Sequence, residues 1–124
     1  MTWWEWTLIG LAGAAGAPLR YVVDVVVSER IHGTFPLGTL VVNISGSFAL
    51  GIVTGLAMYH GLPKASQEIL GLGFVGAYTT FSTFTLETVQ LFEEGKAGPA
   101  LVNVVVSVVS GGLAAAAGLA LAGL

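Results

Sequence analysis

Residues Gly71 to Glu87 read GLGFVGAYTTFSTFTLE, and the reading of this stretch decides the fold. It stands where a membrane span belongs, yet it holds Gly71, Gly73 and Gly76, then hydroxyls at Thr79, Thr80, Ser82, Thr83 and Thr85 with Phe81 and Phe84 between them. A helix can absorb such hydroxyls by bonding them back to its own carbonyls, but the glycines ahead of them weaken it. The combination predicts a break between Gly76 and Thr80. Non-helical backbone at membrane depth is tolerated only where it is buried in protein or lines a cavity. The segment is therefore the expected functional centre of a small membrane protein.

Composition outward from this stretch supports the class. The chain has 124 residues, 55% hydrophobic and 9% charged, with a mean hydropathy of +0.88, whereas soluble domains carry roughly 25% charged residues. Four apolar segments, 3–28, 36–60, 67–92 and 98–123, each supply the ~20 residues that cross a bilayer. The linkers between them are short and carry breakers, so residues 1–124 are expected to form a single all-α transmembrane domain with its third helix broken. The start Met1-Thr2-Trp3-Trp4-Glu5-Trp6 lacks the basic residues of a signal peptide, and its tryptophans suit an interfacial belt against membrane lipid. The first span is expected to remain in place. With no cysteine, disulfides and thiolate metal sites are excluded. A net charge of -3 does not suggest a polyanion, and no nucleic-acid partner is expected.

The loops orient the chain weakly. Arg30 and Lys96 fall in the first and third linkers and Lys64 in the second, a near-tie under the rule that Lys and Arg accumulate on the cytoplasmic side. Insertion in both directions is one reading, and a single topology fixed by one extra charge is the other. Four glycine-rich spans are few to enclose a path, which favours an oligomer, and mixed orientation permits an antiparallel homodimer.

The first span carries Gly13, Gly16, Arg20 and Asp24 at spacings of three and four, which share one helix face. A charge at this depth costs about 2.5–3.5 kcal/mol on insertion scales, so Arg20 needs a partner or a watery cavity. Asp24 is the local counter-ion, and a structural pair or a snorkelling Arg20 stands beside a functional reading. Pro18 is positioned to kink this helix. The second span repeats Thr39, Asn43, Gly46 or Ser47, Gly51 and Thr54 on one face, and Gly51 to Gly55 is a GxxxG. Asn43 either glues helices together or meets a polar solute, because an amide is costly in hydrocarbon unless its groups are met.

In the third span Gly71-Leu72-Gly73-Phe74-Val75-Gly76 matches GxGxxG, but no strand precedes it, and the dinucleotide reading is discarded. Phe81 and Phe84 are three apart and share a face if the helix resumes. They pack against lipid or core, or their positive ring edges form a dry wall tolerant of anions. Glu87 and Gln90 are expected to be solvated. The fourth span adds Asn103, Ser107 and Ser110 and ends in a run of small residues suited to close helix packing. The polar groups at depth are thus mainly neutral donors plus one guanidinium, a set that suits an anion. No enzyme is expected.

Three segments carry a resemblance: GAPLRY at 16–21, GTLVVNISGSF at 38–48 and GAYTTFSTF at 76–84. They resemble the signature blocks of the Fluc (CrcB) fluoride channels, in order and over three of the four spans. The resemblance implies a dual-topology antiparallel homodimer with two pores that exports fluoride passively across the cytoplasmic membrane of bacteria or archaea. It implies that Asn43, Phe81 and Phe84 line the pore, with Thr39, Thr83 and Ser107 along its polar path and Arg20 in the vestibule. It further implies that Gly76 and Thr79 offer backbone carbonyls to a structural sodium ion at the dimer centre. Gly76-Ala77 stands where many members have Gly-Gly, and Asn103 where some have an aromatic residue. The competing class is a proton-coupled small multidrug exporter, which needs a carboxylate deep in the first span; Glu5 and Asp24 lie towards its ends.

Overall fold

A computed structural model describes residues 1–124. Helix α1 runs Trp3–Arg30, α2 Leu37–Tyr59, α3 Lys64–Glu68, α4 Gly76–Tyr78, α5 Ser82–Glu93 and α6 Ala97–Ala122, with a π-helix over Ile69–Val75 between α3 and α4. Together α3, the π-helix, α4 and α5 form one interrupted span, Lys64–Glu93, so the chain has four spans long and apolar enough to cross a membrane.

The helix ends follow local chemistry. Thr2 caps α1 through the Glu5 N–H, and the Glu5 carboxylate returns a bond to the Thr2 N–H, closing a capping box. Helix α1 continues through Pro18, which removes one internal bond without ending it. Gly95, at φ +79°, ends α5: the Lys96 N–H reaches back to the Leu91 carbonyl at 2.9 Å, a turn that requires the left-handed backbone glycine adopts freely. At the opposite end of the molecule His60 Nε2 bonds the Ala122 carbonyl at 2.7 Å and ties the end of α2 to the end of α6.

Small residues set how closely the spans pack. A Cβ at Gly51 would overlap the Ala115 carbonyl of α6, and one at Gly118 the Phe48 carbonyl of α2, so glycines on both helices bring these two backbones together. Gly55, the second glycine of the GxxxG, meets Leu119 and Ala122. Across the molecule Gly16 of α1 abuts the Phe74 carbonyl, and Gly73 abuts the Ile9 carbonyl. Gly46 of α2 faces Tyr78 and Thr79, which lets the second span approach the break.

The break itself falls at Thr79–Phe81, within and just beyond the predicted window, where Thr79 turns extended at φ -79°, ψ 163°. The π-helix leading into it was not foreseeable from polarity. Its N–H groups reach one residue further back than in an α-helix, as in the bond from Gly76 to the Gly71 carbonyl.

Candidate functional site

A broken helix leaves carbonyls and N–H groups without their usual partners, and three side chains serve them here. In an unbroken helix the Thr80 N–H would close on the Gly76 carbonyl. Instead it donates to Asn43 Oδ1 at 2.9 Å, while Asn43 Nδ2 donates to the Thr80 carbonyl at 2.8 Å. Thr80 Oγ1 accepts from the Thr83 N–H at 3.0 Å and caps α5. Arg20 Nη1 donates to the Thr79 carbonyl at 3.3 Å. Of the two readings of Asn43, the structure shows interhelical bonding, directed at backbone. One Nδ2 hydrogen and one Oδ1 lone pair remain, because an amide offers two donors and two acceptor sites.

Two concavities flank this pairing, and Thr80 lines both. The larger, about 330 Å³, is walled by Asn43, Thr79, Phe81, Phe84 and Ser107 among others. Phe81 and Phe84 do share a face, with ring centroids 5.9 Å apart and planes tilted by 54°. The smaller, about 210 Å³, brings Arg20 together with Asp24, Thr39, Thr80 and Thr83. The candidate residues are therefore gathered around the break, in two groups joined at Thr80. Gly76 is exposed on the outer surface and Phe81 is 76% exposed.

Two expectations change. Arg20 makes no ion pair with Asp24: the ion pairs present are Lys64–Glu68 and Lys96–Glu94, and Asp24 Oδ1 accepts instead from Ser28. The guanidinium finds a carbonyl acceptor nearer than a carboxylate, because the break presents Thr79 to it. Glu87 is also not simply solvated. It is half-buried and accepts a 2.5 Å hydrogen bond from Thr39 Oγ1, whose residue is 4% exposed. The signal lay in spacing, since Thr83 and Glu87 stand at i and i+4 on one face of α5.

In α6 Asn103 is 2% exposed and donates to Thr88 Oγ1 at 2.8 Å, and Ser107 Oγ donates to Asn103 Oδ1 at 3.4 Å. Ser107 thereby links the buried α5–α6 contact to the larger groove. Ser110 bonds back to the Val106 carbonyl of its own helix.

For a metal, no cluster of three or more His, Cys, Asp or Glu side chains exists. Carbonyl oxygen is the donor on offer, and it is the type that hard cations select. The Gly76 carbonyl is released by the diversion of the Thr80 N–H, and the Thr79 carbonyl keeps one lone pair beside its bond to Arg20. These two oxygens are of the type a hard cation takes, as part of a larger set.

Comparison with known proteins follows the same outline. Residues 7–119 match the family model described as CrcB-like protein, Camphor Resistance (CrcB). A protein of Mycolicibacterium paratuberculosis named fluoride-specific ion channel FluC 2 is 51% identical over 117 residues, 94% of this chain and 93% of its own. One of that name from Mycobacterium tuberculosis is 52% identical over 111 residues, covering 90% and 84%, and one from Moorella thermoacetica 46% over 107 residues, covering 86% of each. The exporter reading draws no support from these matches. A four-span chain that matches the family model over nearly its whole length, at about half identity to curated members, belongs to the CrcB-like family and is a multi-pass membrane protein.

Proposed function

We propose that this chain forms a fluoride-selective channel that lets fluoride leave the cytoplasm passively. The observation that carries the reading is the Asn43 amide: it holds the broken backbone on both sides of Thr80 and still has an uncommitted N–H where it lines a groove with Phe81, Phe84 and Ser107. Fluoride is small and strongly hydrated, so a narrow passage must replace its water with fixed donors, and width then rejects larger halides. The Asn43 amide, the Ser107, Thr39 and Thr83 hydroxyls and the aromatic edges are such replacements. Arg20 adds a positive field at the mouth. Curated relatives at about half identity carry the fluoride-channel name.

The active unit is an antiparallel homodimer with two pores, inserted in both orientations in the cytoplasmic membrane and solvated by lipid around Trp3, Trp4 and Trp6. What supports this is the open face of the single chain: the non-helical backbone at Thr79–Phe81 and the released carbonyl of exposed Gly76 cannot face hydrocarbon, and a second copy would cover them. A sodium ion held by the Gly76 and Thr79 carbonyls of both copies would neutralise the released oxygens at their centre and fix the two breaks together.

The test is efflux from liposomes containing the purified protein, followed with fluoride- and chloride-selective electrodes after a potassium ionophore is added. Fluoride loss without chloride loss is expected. A folded protein that passes neither ion, or both equally, overturns the assignment.

A further inference from the structure

The guanidinium of Arg20 occupies an unusual position: it is half-buried, bonded to the same Thr79 carbonyl that the proposed cation site uses, and no carboxylate lies within 4.0 Å of it to cancel its charge. We infer that Arg20 is a positioning residue for that site, holding the Thr79 carbonyl in its extended conformation while setting a deliberately weak grip on the cation. The inference rests on the sodium reading above and goes beyond it by assigning a role to a side chain that does not touch the ion.

A carbonyl oxygen has two lone pairs. One can accept from Arg20 while the other faces a cation, so both are accommodated on one oxygen. The consequence is two positive charges on opposite sides of a single atom. They repel through a poorly screened region, and the repulsion is offset only in part by the orientation that Arg20 gives the carbonyl. Asp24 lines the same concavity as Arg20 but is turned to Ser28, and Glu87 of α5 is turned to Thr39. The same uncancelled charge that favours an anion beside the break therefore disfavours a cation at it. Neutralising Arg20 while retaining a hydrogen-bond donor separates the two effects: Arg20→Gln keeps a donor for the Thr79 carbonyl and removes the repulsion, whereas Arg20→Lys keeps the charge.

The experiment reads cation binding without flux. Purified full-length protein is exchanged into N-methylglucamine chloride, and its melting temperature is followed against added NaCl at constant ionic strength, so that the rise reports an apparent dissociation constant for sodium. The expected result is that Arg20→Gln needs about tenfold less sodium than the unaltered chain, the size of change a unit charge at this range produces in a partly screened medium. Arg20→Lys stays close to the unaltered chain. If Arg20→Gln does not fold, Arg20→Met, which removes the charge and the donor together, carries the same expected direction. An unaltered chain that responds to sodium while the neutral variant needs as much or more overturns the inference and leaves the sodium reading standing. An unaltered chain with no sodium response overturns the sodium reading itself.

Discussion

Asn43 shows what a single residue type contributes at membrane depth. Its amide meets an N–H and a carbonyl at once, which no apolar or singly functional side chain can do. Asn43→Asp replaces the donor to the Thr80 carbonyl with an oxygen that repels it and puts a negative charge in the proposed anion path. Fluoride efflux from liposomes is expected to disappear, and near-normal efflux would remove Asn43 from the pore. Asn103 is more deeply buried, yet its loss should cost less. Its partner Thr88 Oγ1 also donates to the Phe84 carbonyl at 2.8 Å, so Asn103→Leu strands no donor at position 88. A stability loss of about 1 kcal/mol or less is expected by thermal unfolding, in keeping with interhelical polar bonds in membranes. Burial alone would rank these two residues the other way.

At the scale of the helices, small residues decide packing where the backbone of a neighbour occupies the space a side chain would need. Gly118→Ala and Gly16→Ala both drive a methyl into a carbonyl, of Phe48 and Phe74 respectively, and backbone cannot step aside as a flexible side chain can. Each is expected to cost about 1–3 kcal/mol, the usual penalty for overpacking. Gly112→Ala meets nothing within 4 Å in the single chain. It should leave the chain's stability unchanged or raise it by up to about 1 kcal/mol through helix propensity. Melting temperatures of the three variants under one buffer check the contrast, and equal losses at Gly112 and Gly118 would contradict it. The π-helix belongs to this scale too: its wider turn places the break one residue away from where an α-helix would carry it, and so governs which residue meets Asn43.

For the whole molecule, the near-tie of loop charges carries the prediction. The chain has no native cysteine, so a single Glu93→Cys substitution at the exposed end of α5 reports on sidedness cleanly. An impermeant maleimide added to sealed cells is expected to label about half of the population, with the rest labelled only after permeabilisation, because the Lys and Arg bias is weak. Labelling that is complete or absent from one side would mean one fixed orientation and would exclude the antiparallel dimer. Particle mass in mild detergent, read by light scattering, gives the number of copies independently.

Much of this molecule was legible in its residues for a simple reason: hydrocarbon leaves the backbone few options, so apolar length and composition fix four helical spans, and glycines with hydroxyls in one of them mark the break. Asn43, Phe81, Phe84 and Ser107 gather around that break; residue type pointed to Asn43 and the broken span, and only the family resemblance pointed to the set. The partners were not legible. That Asn43 serves both backbone groups of Thr80, that Arg20 turns to the Thr79 carbonyl and away from Asp24, and that Glu87 is bound by Thr39 depend on the close approach of helices distant in sequence. Helical periodicity assigns a face to each residue, but only the packed glycines and the π-helical register decide which groups on two faces come within hydrogen-bonding distance.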